Sequence, residues 1–192
     1  MFAAAQCLEP SSSLHLRRLI LVDPVNPYSA HGRLLAPLAG SRFGSLLFRF
    51  GLMRMSFLYP FVHARLYADR SRISPGTLEG YTAPLAKPGL FEHALSIVRT
   101  WTEDLGELEM TLPNLANIPT LLMWGSKDSA VYVSSAQRLA KYFPNSELIV
   151  FSGVGHLPYE ECPEEFNRAL IEFQRKDELP PDQYRSNLLK KN

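Results

Sequence analysis

Two apolar runs of strand length dominate the second half of the chain. They are Leu121-Leu122-Met123-Trp124 and Leu148-Ile149-Val150-Phe151, and each is followed by a glycine-containing turn. Apolar residues at consecutive rather than alternate positions suit a strand buried on both faces. Between the runs, Ala136, Leu139, Ala140 and Phe143 form one apolar helical face, predicting a helix over Ser134 to Phe143. Ser134-x-x-Gln137 has the spacing of a capping box, and Pro144 ends the run. Strand, helix and strand within about 30 residues make a βαβ unit with parallel strands. A third strand is predicted at Leu19-Ile20-Leu21-Val22. Pro163 opens a final helix with Glu164 and Glu165 in its first turn and a stripe of Phe166, Ala169, Leu170 and Phe173.

The rest of the pattern is helical. Phe2 to Leu8 reads as a short helix of small and apolar residues, stopped at Pro10. The most apolar stretch, Gly44 to Tyr67, is interrupted by Arg49 and Arg54, whereas a membrane span needs about 18 or more residues with few charges. Pro60, Ser74-Pro75-Gly76 and Lys87-Pro88-Gly89 predict several short helices rather than one long one. The tail from Lys176 is polar and carries Pro180-Pro181.

Chemistry enters at the ends of the two apolar runs. Asp128 lies four residues past Trp124, and His156 lies five past Phe151. Parallel strands present their carboxyl ends on one sheet edge, where open α/β sheets place their ligands. The two side chains are therefore expected to meet in a direct hydrogen bond, as the acid–base half of a hydrolytic triad. Asp23, at the end of the third apolar run, is the rival acid, although Asp23-Pro24 also reads as a strand-ending turn. Glu160 reads as a structural carboxylate bonding backbone in the histidine loop. His15, His31, His63 and His93 have no motif around them.

With Trp124-Gly125-Ser126-Lys127-Asp128, Gly155-His156-Leu157-Pro158 and Glu160-Glu161-Cys162-Pro163 in this order, Ile118 to Phe173 resembles the carboxyl-terminal part of an α/β-hydrolase-fold protein. Arg17-Arg18-Leu19-Ile20-Leu21-Val22-Asp23-Pro24 resembles the family's sixth strand. The resemblance implies an α/β fold of about three parallel strands with flanking helices and a helical cap insertion. Residues 1–25 would be a post-elbow helix and the sixth-strand segment, 26–115 the cap, 116–175 the last two strands and helices, and 176–192 a flexible tail. It also implies a triad in chain order nucleophile, acid, histidine, with Asp128 as acid and His156 as base. In the cap, Phe48, Met53, Phe57, Phe61 and Trp101 are candidates for an apolar substrate pocket; packing within the cap is the competing fate of each.

The same resemblance calls for a nucleophile on a G-x-S-x-G turn before the sixth strand. The chain contains no such motif: Met1 to His15 lacks glycine, and Gly40-Ser41-Arg42-Phe43-Gly44 has the wrong spacing. The chain is thus expected to begin just downstream of its nucleophile, as a fragment, an internal start or a natural remnant. The family activity expected of the parent is hydrolysis of a small, apolar ester, with epoxide, halide or C–C bond hydrolysis behind it. The chain alone is expected to be inactive, and a hydrolase-derived module that binds a ligand or partner is the alternative.

Composition narrows the partners. The net charge is +1, and Arg33 to Arg72 holds seven arginines against the single acid Asp69. These arginines are spread rather than clustered, and no aromatic–basic nucleic-acid motif accompanies them, so nucleic acid is not an expected partner. Cys7 and Cys162 make no metal-ligand spacing, and neither a metal nor a cofactor is expected. Their separation points to a reducing, cytoplasmic setting. Leu19 to Val22 would lack a neighbour on one side, an invitation to edge-to-edge dimers or aggregation.

Overall fold

The computed structural model describes residues 1–29, 41, 44, 46 and 56–177. Phe48, Met53 and residues 178–192 of the tail lie outside the described residues. The elements are α1 (Phe2–Gln6), β1 (Leu19–Val22), α2 (Tyr59–Ala64), α3 (Thr77–Thr82), α4 (Leu90–Thr111), β2 (Thr120–Gly125), α5 (Val133–Ala140), β3 (Ser146–Phe151), α6 (Pro158–Glu161) and α7 (Pro163–Gln174).

The three strands form one parallel sheet in the order β1-β2-β3. Leu19 pairs with Thr120, and Thr120 with Ser146, so the carboxyl ends of all three strands lie on one edge. Every residue of β2 is buried, as expected of a central strand covered on both faces. Its side chains alternate between two cores. Leu122 and Trp124 join Leu19, Leu21, Leu108, Leu112, Ala136, Leu139 and Phe143 on one face. Leu121 and Met123 join Phe151, Val154, Phe166 and Phe173 on the other. Helix α5 thus covers the first face and α7 the second. Fully burying one such large apolar side chain is worth about 1.5–3 kcal/mol.

Two local expectations are corrected. No side chain caps α5: the helix begins at Val133, and Ser134 lies inside its first turn. The Ser135 hydroxyl instead donates to the Tyr132 carbonyl and accepts from the Asn26 amide, tying the helix start to the β1 exit. The second concerns length alone: the breaks fall as expected, with Gly76 before α3 and Gly89 before α4, but α4 is not short and runs unbroken for 22 residues. Gly89, in the left-handed region at φ 82°, precedes the helix, and no proline follows until Pro113. Leu108 in its last turn and Leu112 just after it are buried in the core above the sheet, and that burial holds a helix whose sequence alone shows only one-sided punctuation.

Candidate active site

The acid loop begins where β2 ends. Trp124 is fully buried, and its indole Nε1–H donates to the Val131 carbonyl at 2.8 Å, pinning the far side of the loop. Asp128 is buried at the near side. Its Oδ1 accepts the N–H groups of Ala130 (2.7 Å) and Val131 (2.9 Å), so the carboxylate is oriented by backbone donors. Its Oδ2 faces Nδ1 of His156 at 2.9 Å. An ionised carboxylate only accepts, so Nδ1 carries the proton and Nε2 is left to act as a base. The Asp128 side chain has no exposed surface, whereas that of His156 is 24% exposed. The acid is sealed and the imidazole is accessible.

The histidine loop is fixed by a close approach of two glycines. A Cβ on Gly125 would overlap the Gly155 carbonyl, and one on Gly155 would overlap the Leu66 carbonyl and crowd the Ala68 nitrogen. Only glycine lets these three backbones meet. The N–H of Lys127 donates to the Val154 carbonyl at 2.8 Å, and the N–H of Gly153 donates to the Ser126 hydroxyl at 2.9 Å. Beyond the loop lies the segment Arg65 to Asp69. The N–H of His156 donates to the Leu66 carbonyl at 2.7 Å, and the Ser129 hydroxyl donates to the Arg65 carbonyl at 2.8 Å.

Sequence reasoning selected the wrong neighbour as the carboxylate that bonds backbone. Glu160 accepts hydroxyl hydrogen bonds from Tyr67 and Tyr81. Burial and this carboxylate hold both phenols well above the ordinary tyrosine range. Glu161 is the buried carboxylate. It accepts the N–H of Gly155 at 2.6 Å, of Ala68 at 3.1 Å and of Asp69 at 3.1 Å. A single-turn helix offers no periodic run from which the inward residue could be told from its neighbour.

Asp23 closes the site from behind. It is a non-glycine residue at positive φ (41°) and it is buried. Its Oδ1 accepts the Gly125 N–H at 3.1 Å. Burial pushes its carboxyl up to about 9; the Gly125 N–H opposes the rise and the Asp128 charge adds to it. One ligand atom each from Asp23, Asp128 and His156 lies within 4.8 Å of the others. Such a trio has the make-up of a metal cluster, but Asp128 already spends its oxygens on two backbone donors and the imidazole. The arrangement suits an acid–base pair. His156 bonds Asp128, not Asp23.

The candidate pocket residues do not converge in the same way. Phe57 is 64% exposed and Phe61 68% exposed, so neither is enclosed among the described residues. Trp101 is half-buried, and its indole nitrogen has no hydrogen-bond partner among the described residues. No helix among the described residues is long and apolar enough to cross a membrane.

Comparison with known proteins agrees with the fold. The chain is 38% identical over 84 residues to a 2-hydroxy-6-oxononadienedioate/2-hydroxy-6-oxononatrienedioate hydrolase of Paraburkholderia xenovorans (strain LB400), covering 43% of this chain and 29% of that protein. It is 33% identical over 64 residues to Lipase 1 of Psychrobacter immobilis, covering 30% and 20%. Among solved structures, the meta-cleavage product hydrolase of Pseudomonas fluorescens IP01 superposes with a TM-score of 0.61 at 22% identity, over 92% of this chain and 61% of that one. A thermophilic esterase from Thermogutta terrifontis gives a TM-score of 0.59 at 25% identity, over 91% and 60%. The chain thus spans under a third of these curated relatives in the matched stretches and about 60% of the structural neighbours. The model of the alpha/beta hydrolase family matches residues 2–169, and the chain belongs to that family.

Proposed function

We propose that this chain supplies the acid and base of a hydrolase acting on a small, apolar ester or a related acyl substrate. The observation that carries the reading is the 2.9 Å contact between His156 Nδ1 and Asp128 Oδ2 at the ends of adjacent parallel strands. Asp128 fixes the tautomer and stabilises the imidazolium, while Nε2 of His156 takes the proton of the nucleophile and returns it to the leaving group. The nucleophile and the oxyanion donors would come from residues other than these 192, since the chain has no G-x-S-x-G turn. The relatives named as lipase, esterase and meta-cleavage product hydrolase support acyl transfer to water, from an ester or an activated carbon. Two free thiols, Cys7 and Cys162, fit a reducing, cytoplasmic setting.

The test is to express the longest in-frame reading that contains this chain and to assay short-acyl p-nitrophenyl esters. Asp128→Asn should lower kcat on the order of 10⁴-fold, the scale known for amidation of a triad acid in a serine protease. The 192-residue chain alone should show no turnover above its His156→Ala control. Turnover of the longer protein that survives both substitutions would overturn the acid–base assignment. A longer reading that adds no nucleophile would favour a non-catalytic binding module instead.

The open edge of β1 adds a second expectation. Leu19 and Asp23 donate their N–H groups toward the β2 side, to Pro119 and Met123. By alternation, Ile20 and Val22 present theirs to the opposite side, where no strand is paired among the described residues. Such an edge is a template for a second strand. Light scattering on the purified chain should show dimers or larger species at micromolar concentration; a stable monomer would refute this.

A further inference from the structure

The Asp23 carboxyl is buried, and only one of its oxygens has a partner. Oδ1 accepts the Gly125 N–H, while Oδ2 is buried with no hydrogen-bond partner among the described residues. The polar group beside it is the Asp128 carboxyl, itself fully enclosed. The nearby donors are already committed: Ala130 and Val131 to Asp128 Oδ1, His156 to Asp128 Oδ2, and Gly125 to Asp23 Oδ1. Among the described residues no lysine or arginine pairs with either carboxyl. The titratable groups facing Asp23 are Asp128 and His156, with the Cys162 thiol farther off. Two buried carboxyls with oxygens within 4.8 Å of each other oppose each other's ionisation, which favours keeping one proton on the pair.

We propose that Asp23 is a positioning residue: its carboxyl stays protonated at neutral pH and donates that proton as a hydrogen bond to Asp128. This deepens the hydrolase reading, since Asp23 acts on the base only through Asp128. Asp128 then has four donors, two from backbone, one from His156 and one from Asp23, and it is the single charge behind the imidazole. The donor count favours Asp23 as the holder of the proton: three hydrogen bonds already stabilise the charge on Asp128 and one that on Asp23, whose buried carboxyl is pushed up to about 9. The positive φ of Asp23 belongs to the same arrangement: it turns the chain at the end of β1 so that the side chain lies beside Gly125 and Asp128. No proton is transferred overall; it remains on Asp23 while His156 cycles.

The experiment is carboxyl ¹³C and imidazole ¹⁵N NMR on the full chain, as a function of pH. The Asp23 Cγ resonance, assigned by its loss in Asp23→Asn, should sit at the protonated position at pH 7 and move only near pH 9. In Asp23→Asn, whose amide N–H replaces the acid O–H, the His156 midpoint should stay within about 0.3 of wild type. In Asp23→Ala the donor is lost and the His156 midpoint should rise by about half a unit or more. An Asp23 Cγ at the carboxylate position at pH 7 overturns the proposal, and that reading needs no variant to fold. A His156 midpoint unmoved by both substitutions also overturns it, leaving Asp23 as a mere brace for Gly125. None of these readouts depends on turnover. Absence of hydrolysis would sink only the function proposed above, and hydrolysis with an ionised Asp23 would sink only this inference.

Discussion

The Glu161 carboxylate accepts the backbone N–H of Gly155, the residue before His156, at 2.6 Å. The same side chain also holds Ala68 and Asp69, so one buried charge ties the histidine loop to a segment nearly ninety residues away in sequence. Of its three donors Gly155 is buried, while Ala68 and Asp69 belong to exposed residues; leaving the buried one unpaired costs about 1–3 kcal/mol, and the anchor to the second segment is lost with it. Glu161→Ala should therefore lower stability by several times that of a surface substitution, with the shift read from the urea midpoint. Glu164→Ala, on an exposed position three residues on, is the control and should stay within about 0.5 kcal/mol of wild type.

Glycine substitutions should separate into two classes. Gly125→Ala forces a methyl into the Gly155 carbonyl, where backbone must move, and should cost at least about 1–3 kcal/mol. Gly106→Ala, in the middle of α4 with open space around the new methyl, should instead stabilise by about 0.5–1 kcal/mol. Thermal melts of the two variants check both signs.

Asp23 should leave a mark on the pH dependence of stability. Its carboxyl binds a proton with a value of about 9 when folded, against an ordinary value of 3.8. Between those limits the native chain carries one more proton than the unfolded chain, so stability falls as pH rises. The slope is at most about 1.4 kcal/mol per unit for one proton. The contribution is whole below the lower limit and lost above the upper one. The difference in urea midpoint between Asp23→Asn and wild type should thus move in favour of the variant from about pH 4 to about pH 9, then level off.

Trp124→Phe keeps the aromatic filling of the core but deletes the donor to Val131. The stranded buried carbonyl should cost about 1–3 kcal/mol. Because Val131 also holds Asp128, the His156 ring resonances should shift in this variant.

The sheet was legible because each strand is a run of consecutive apolar residues, and Asp128 and His156 were legible because strand ends of a parallel sheet share an edge. What escaped was decided by contacts distant in sequence. The length of α4 follows from Leu108 and Leu112 docking on the sheet, and the capping box at Ser134 lost to the bond between Asn26 and Ser135. Glu161 was missed because inward and outward positions of a single turn look alike in a sequence. Asp23 was visible only as a rival to Asp128, whereas the structure sets the two side by side, with His156 bonded to Asp128.

The segment Arg65 to Asp69 touches both site loops through main-chain atoms: the carbonyls of Arg65 and Leu66, and the nitrogens of Ala68 and Asp69. Of its five side chains only that of Tyr67 is buried; Arg65, Ala68 and Asp69 are exposed. The frame and the variable part are thus carried by different atoms of the same residues. Mutation can rewrite the side chains of this rim while the main-chain bonds that hold the Asp128 and His156 loops are inherited intact.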